Sequence, residues 1–143
     1  MKSFEVEKNT KKLISKAVYI GVSEAAAGYT YENGAVLEDV AMYMNYGTQK
    51  TPERDFITLP FQVKKNALKT AQAKILKGEL NAQKSLRLLG EFGRNIIIEA
   101  FESGGFGLWA PDSLYTIEHK GSAMPLVDTG VLKSSISYEV AKS

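Results

Sequence analysis

This chain of 143 residues contains no cysteine, one histidine and one tryptophan. Without cysteine, neither a disulfide bond nor a thiolate-ligated metal site can form. One histidine with scattered carboxylates also argues against a zinc site. No apolar run approaches the roughly 20 residues that cross a bilayer, and the first residues lack the apolar stretch of a signal peptide. We therefore expect a protein made and used in the cytosol, without a metal ion, a cofactor or a membrane contact.

A strong excess of one charge is also missing, because 18 basic and 16 acidic residues leave a formal net charge of +2. That balance alone does not indicate nucleic-acid binding. The basic residues are nevertheless concentrated between Phe61 and Gly90, where the only acidic residue is Glu79. We interpret this segment as a solvated helix face, and the alternative is a surface for DNA or for an acidic partner ring. Its basic residues are Lys64, Lys65, Lys69, Lys74, Lys77, Lys84 and Arg87.

What the chain does have is an ordinary globular composition, with 44% apolar and 24% charged residues. Its length suits one domain with its own hydrophobic core. We see no internal repeat, low-complexity tract or domain boundary. The sequence therefore predicts a single domain over residues 1–143.

Helical spacing of apolar residues predicts three main helices. They run over 36–46, from Pro60 to about Lys77, and from about Asn81 to Phe101, and a short one is expected over 11–16. Gly47 stands where the first should end, and Gly78 where the second should end. The third has the widest apolar face, so we expect it at the centre of the core. Its two glycines, Gly90 and Gly93, cost roughly 1 kcal/mol each relative to alanine, which indicates either close approach of a neighbour or a weak point. The apolar face of this helix consists of Leu86, Leu89, Phe92, Ile96, Ile97 and Ala100.

Alternation of apolar and polar residues predicts strands near residues 18–22 and 135–140. Residues 23–34 are expected to form a loop of small residues that can contain a hairpin arm at Tyr29–Tyr31. Residues 104–108 are expected to form a flexible loop, since three of them are glycine.

Three motifs are similar to motifs of enzymes or phosphate-binding proteins, but the sequence around each one lacks the features that the activity requires. Residues 126–130 match the Asp-Thr-Gly turn of aspartic proteases, but only 13 residues follow, too few for the rest of such a fold. A hydrolase triad could be drawn from Ser113, His119 and Asp128, yet no G-x-S-x-G elbow accompanies these residues. The glycines at 104–107 lack the G-K-[ST] ending of a phosphate loop. We therefore expect no catalytic residues.

The C-terminal region is explained better by backbone capping. Asp128 is placed to accept from the N–H groups of Gly130 or Val131, beginning one helical turn that buries Val131 and Leu132. A short helix is also expected over 112–121, ended by Gly121. The polar residues of this region are thus predicted to be chiefly architectural.

Two segments resemble a known family. From Trp109 to Tyr138 the pattern is W-x-P, T-x-x-x-K-G-S and P-L-V-D-T-G-x-L-x-x-S-I-x-Y, and from Ala41 to Phe56 it is A-x-x-x-N-Y-G-T followed by P-x-R-x-F. These patterns resemble the tail-completion and head-tail joining proteins of long-tailed bacteriophages, a virion morphogenesis family of the neck. The family usually has an acidic residue where this chain has Asn45, and a second proline where it has Asp55.

The resemblance implies an α+β fold, with two or three long helices packed on a small antiparallel sheet in which residues 17–23 and 135–141 are neighbours. It implies a structural protein of the virion neck and tail, assembled in the host cytoplasm as a ring of six subunits. Its partners would be head-completion or connector proteins on one side and tail tube or tail terminator proteins on the other, with DNA met only by proximity. The alternative function is a basic DNA-binding module acting through the Lys64–Arg87 region.

Some residues are candidates for subunit or partner contacts. Trp109 is either a lid on the core or an interface anchor, and Arg54 either fixes its own loop or reaches a neighbouring subunit. The candidate interface residues are Arg54, Phe56, Tyr29, Tyr31, Phe106 and Trp109, and the candidate structural turn residues are Gly47, Asp128 and Gly130.

Overall fold

The computed structural model describes residues 16–76, 81–110 and 129–142. These residues form a single α+β domain with three longer helices, as the sequence predicts, and a two-stranded antiparallel sheet. In chain order the elements are β1 (Lys16–Val22), α1 (Glu24–Ala27), α2 (Leu37–Tyr46), α3 (Leu59–Val63), α4 (Lys65–Leu76), α5 (Ala82–Ser103), α6 (Thr129–Ser135) and β2 (Ile136–Lys142).

The sheet pairs the two ends of the described chain. Strands β1 and β2 run antiparallel, in a register from Lys16 opposite Lys142 to Val22 opposite Ile136. This confirms the expected pairing of residues 17–23 with 135–141, although β2 begins one residue later, because Ser135 ends α6. A two-stranded sheet is marginally stable on its own, so one of its faces must be covered.

Helix α5 covers that face through its two glycines. A Cβ atom on Gly90 would overlap the ring of Tyr138, and one on Gly93 would overlap Cδ1 of Ile20. Ile20 and Tyr138 are opposite each other in the sheet, so both face α5. The glycines therefore mark close approach of the sheet, which settles the choice left open by the sequence.

The hydrophobic core lies where α2, α5, α6 and β2 meet. The central position predicted for the long helix is confirmed, because Ile97 of α5 is fully buried. Leu132 is also fully buried, so the short helix expected after residue 128 is present as α6. The buried cluster consists of Leu37, Ala41, Met44, Phe56, Ile97, Leu132 and Ile136.

The helix predicted from Pro60 to Lys77 is wrong as one element. The chain turns at Lys64 (φ −96°, ψ 21°), which separates α3 from α4. At this point Lys64 Nζ pairs with Glu99 of α5 at 3.1 Å, which ties the turn to the central helix. Pro60 of α3 is buried, whereas no described side chain of α4 is buried. Helix α3 therefore buries part of its surface in the domain, whereas the side chains of α4 stay at least partly exposed.

The loop predicted over 23–34 is partly wrong. It begins with the short helix α1, whose N-terminus is capped by Ser23 Oγ accepting from Ala26 N at 3.2 Å. The hairpin arm is present in its smallest form, as a single antiparallel bridge between Thr30 and Val36. Tyr31 N donates to Ala35 O at 2.8 Å inside this bridge.

The glycine run after α5 is a compact hydrogen-bonded turn, not an open loop. Helix α5 continues through Ser103, and Gly104 ends it in the left-handed region (φ 65°). Gly105 N donates to Ala100 O at 2.7 Å, and Trp109 N donates to Gly104 O at 3.1 Å. The chain therefore folds back over the end of α5.

Several expectations lie outside the described residues. They are the helix over 11–15, the helix end at Gly78, the helix over 112–121 and the capping role of Asp128. Lys16, expected at the end of the first of these helices, begins β1.

Candidate protein-docking site

The connector between α2 and α3 is held in a tight shape. Gly47 has a positive φ of 75°, and a Cβ atom there would lie 2.8 Å from Glu53 N and 3.1 Å from Thr51 O. Thr48 Oγ1 accepts from the N–H of Thr51 at 3.0 Å. Only glycine fits this backbone, so the predicted structural role of Gly47 is supported by its geometry.

The amide of Asn45 and the carboxylate of Asp55 hold the end of this connector through hydrogen bonds to its backbone. The buried Asn45 Oδ1 accepts from Phe56 N at 3.2 Å and from Ile57 N at 3.3 Å. Asp55 Oδ1 accepts from Ile57 N at 3.0 Å and from Thr58 N at 2.7 Å. Asn45 and Asp55 are the two departures from the family pattern, and together they accept from the N–H groups of Phe56, Ile57 and Thr58.

The two family-like segments meet at this connector. Arg54 is buried, and its Nε donates to the carbonyl of Ala110 at 2.9 Å. Trp109 Nε1 donates to the carbonyl of Asp55 at 3.2 Å. The indole ring lies edge-on to Phe101, with ring centroids 5.8 Å apart. Arg54 therefore ties its connector to the segment that follows α5, and Trp109 packs against the core as a partly exposed lid.

Phe56 requires a correction to its assignment as an interface residue. It is buried in the core, and its ring centroid is 5.3 Å from that of Phe101. A partner can therefore reach Phe56 only if the core opens, so we assign it to packing. Together Arg54, Phe56 and Trp109 form one internal cluster.

The other candidate interface residues, Tyr29, Tyr31 and Phe106, are more accessible than Phe56. Tyr29 is exposed and contacts the half-buried Tyr31 edge-on, with ring centroids 5.2 Å apart. Phe106 is half-buried, and Lys64 Nζ lies 5.4 Å above its ring centroid. Gly130, a candidate structural turn residue, is exposed within α6.

The most prominent exposed apolar surface was missed by the sequence analysis. It is the outer side of α2, where Met42, Tyr43 and Tyr46 are 54%, 56% and 72% exposed. The exposed Glu38 and Asp39 precede them in the first turn. At about 100° per residue, all five lie within an arc of about 140°, away from the buried side of the helix. We call these five residues the α2 patch.

A signal for the α2 patch was present in the sequence. Residues 36–46 carry more large apolar side chains than one helix face can bury, whereas an amphipathic helix has a polar outer face. The buried side is already supplied by Leu37, Ala41, Met44 and Asn45. Tyrosine and methionine left over on the outside are side chains that protein interfaces favour.

Two further findings concern metal-ligating side chains and apolar helices in the described part of the chain. Within it, no group of three or more His, Cys, Asp or Glu residues could hold a metal ion. None of the described helices combines the length and the apolar composition needed to cross a bilayer. Comparison with family models, with curated proteins and with solved structures finds no match for this chain.

Proposed function

We propose that this protein is a structural assembly protein of a long-tailed bacteriophage, docking at the neck to complete the tail and join it to the head connector. The observation that carries the docking role is the α2 patch, with three large side chains more than half exposed on one helix. The phage assignment is supported by the resemblance of the segments 41–56 and 109–138 to the tail-completion family.

The α2 patch is suited to docking because α2 is held on its other side. Leu37, Ala41 and Met44 belong to the core, and Met44 O accepts from Arg54 N of the connector at 2.8 Å. A patch on a fixed helix loses little backbone entropy when a partner binds. Tyrosine adds large contact area with few rotatable bonds and a hydroxyl that can bond at the rim.

In this proposal the protein catalyses no reaction. It assembles in the host cytoplasm and then remains in the virion, between the head connector and the tail tube. Its partners are further copies of itself, in a ring of six, together with head-completion and tail terminator proteins. DNA passes through the ring without being recognised.

The proposal is tested by measuring the mass of the purified protein alone and mixed with head-completion and tail terminator proteins, by native mass spectrometry. We expect the wild type to form higher-mass species with at least one of them. A variant with Met42→Ser, Tyr43→Ser and Tyr46→Ser should keep its helical circular dichroism and lose those species, because the docking area is gone.

The matched control is Leu108→Ser, which removes another exposed apolar side chain outside α2 and should leave every species in place. Failure of the wild type to bind any neck protein would contradict the proposal. So would equal loss of assembly in the control and in the α2 variant.

A further inference from the structure

The two-stranded sheet has two edges, and the edge of β1 is open. Ser23 N donates to Ser135 O at 3.0 Å, which continues the register of the sheet and marks a hydrogen-bonded pair. Because hydrogen-bonded and non-hydrogen-bonded pairs alternate in an antiparallel sheet, the backbone N–H and C=O groups of Val18, Ile20 and Val22 point away from β2. Within the described part of the chain, no hydrogen bond reaches these groups. A further strand can therefore add along β1.

The edge of β2 is partly occupied. By the same alternation the carbonyl of Ile136 points away from β1, and it accepts from Arg94 Nε at 2.8 Å. A strand adding to β2 would have to displace this half-buried side chain. Natural edge strands are commonly protected by charged residues or prolines. Strand β1 has no proline, and its one charged residue, Lys16, lies at its end, so the β1 edge is the unprotected one.

The sequence of β1 is complementary to itself in one antiparallel register. When Ile20 of one copy lies opposite Ile20 of a second copy, Val18 of each comes opposite Val22 of the other. In the same register Tyr19 of each copy comes opposite Gly21 of the other. Pairs of β-branched residues stabilise neighbouring strands, and an aromatic ring can cover the backbone at a glycine in a sheet. A twofold contact requires such self-complementarity.

The outer face of the sheet has room for the incoming tyrosine. A Cβ atom built on Gly21 would have no atom within 4 Å, and an open cavity of about 390 Å³ lies along this part of the sheet. Ser137, opposite Gly21 in the sheet, also lines the cavity. Tyr19 is 53% exposed, and its hydroxyl lies 3.4 Å from Lys142 O, which is long for a hydroxyl donor. The ring can therefore shift towards a second copy at little cost.

We infer that two copies of this chain pair through their β1 edges into one four-stranded antiparallel sheet, in the order β2, β1, β1, β2. Tyr19 of each copy covers Gly21 of the other and brings its hydroxyl towards Ser137. Lys16 at the start of β1 comes opposite the strand end that Glu24 follows, so unlike charges meet near both ends of the pair. A sheet of four strands with one covered face is more stable than a sheet of two.

This inference goes beyond the proposed function and does not depend on it. The contact uses no residue of the α2 patch. Subunits of a closed ring meet through two different surfaces, whereas the β1 contact joins two identical ones. The pair is therefore a state of the free protein, formed before any ring assembles.

The test uses two proline variants of the full-length protein. Val18→Pro removes an N–H group that points out of the β1 edge, a position at which a strand tolerates proline. The matched control is Val140→Pro, because Val140 lies opposite Val18, is half-buried like it and removes an N–H group on the β2 edge. By light scattering after gel filtration, we expect twice the monomer mass for the wild type and for Val140→Pro, and the monomer mass for Val18→Pro.

Cysteine cross-linking tests the register without relying on the proline variants. The chain has no cysteine of its own, so each introduced thiol is the only one in its chain. Residues opposite each other in a non-hydrogen-bonded pair have Cα atoms about 4.5 Å apart, which a disulfide can bridge. Under mild oxidation, an equimolar mixture of Tyr19→Cys and Gly21→Cys should therefore give a disulfide-linked dimer.

Two controls accompany the cross-linking. Tyr19→Cys alone should stay reduced, because its two copies are offset by two residues, about 7 Å along the strand. A mixture of Tyr19→Cys with Gly28→Cys, an exposed position outside β1, should give only the background of random collisions. A self-linked Tyr19→Cys without the mixed product would overturn the proposed register.

Other results would overturn the pairing itself. These are a wild type that stays monomeric at millimolar concentration, a folded Val18→Pro variant that still pairs, or a folded Val140→Pro variant that does not. Pairing through β1 by a protein that binds no neck protein would reject the proposed function and keep this inference. Binding of neck proteins by a chain that is monomeric on its own would reject this inference and keep the proposed function.

Discussion

At the scale of single residues, one buried amide connects α2 to the chain that follows it. Asn45 Oδ1 is the acceptor for Phe56 N, and it shares Ile57 N with Asp55. Replacing Asn45 with alanine leaves the buried Phe56 N–H without its side-chain acceptor. The cost of an unsatisfied buried group is about 1–3 kcal/mol.

We therefore expect Asn45→Ala to lower the free energy of unfolding by about 1–3 kcal/mol, measured by equilibrium urea denaturation. The control is Asn95→Ala on α5, an exposed position at which a change within about 0.5 kcal/mol is typical. Equal effects of the two substitutions would show that the buried amide does not hold the connector.

The hydrogen bonds of single residues in the connector were not predicted by the family pattern. Asn45 and Asp55 differ from that pattern, yet each bonds two backbone N–H groups of the connector. These bonds could not be predicted from the sequence, because residues ten apart were not known to be adjacent in space. Arg54 shows the same difficulty, since its partner Ala110 lies 56 residues further along the chain.

At the scale of elements, the contact between α5 and the sheet depends on glycine. Gly90 adjoins the ring of Tyr138, so Gly90→Ala should cost about 1–3 kcal/mol through overpacking. In a Tyr138→Ala background the ring is absent. The same substitution should then be neutral or stabilise by up to about 1 kcal/mol, because alanine is the better helix former.

Urea denaturation of the four proteins in this double-mutant cycle gives the coupling between the two sites. Gly28→Ala is the control, since no atom lies within 4 Å of a Cβ atom built there. Equal costs of Gly90→Ala in both backgrounds would place the effect within α5 itself rather than at the sheet.

The elements that could be predicted are those whose formation depends on nearby residues, such as apolar spacing and capping side chains. The span of α2 and the central position of α5 followed from apolar spacing, and α1 could have been found from Ser23 ahead of a helix-forming run. The break at Lys64 could not, because residues 59–76 keep a helical pattern throughout. The break coincides with an ion pair between Lys64 and the distant Glu99, which local pattern does not reveal.

At the scale of the whole molecule, the candidate site followed from the sequence only in part. The charge concentration between Phe61 and Gly90 was visible, and so were the residues of the α2 patch. Which apolar side chains remain outside depends on how α2, α5 and the sheet pack together. The sequence analysis therefore favoured Phe56, which is buried, and passed over Tyr46, which is the most exposed of the large apolar side chains described.

The arrangement of basic residues bears on the alternative of DNA binding. Lys65 and Lys69 share one face of α4, being four residues apart. Lys74 is nine residues from Lys65, which at about 100° per residue puts it on the opposite side. Lys64 already pairs with Glu99. The described basic residues therefore do not present six phosphate contacts on one face.

We accordingly expect no measurable binding of duplex DNA at an ionic strength of about 0.15 M. A duplex binder with six or more phosphate contacts would lose about three orders of magnitude or more in affinity between 50 and 200 mM salt, because each contact releases counterions. Fluorescence anisotropy with a labelled duplex across that range measures this slope. Lys65→Glu with Lys69→Glu reverses two exposed charges on one face of α4, which should impair assembly and leave the DNA signal unchanged. The opposite result would be tight, steeply salt-dependent binding that this double variant abolishes. It would support the basic DNA-binding module and reject the proposed function at the neck.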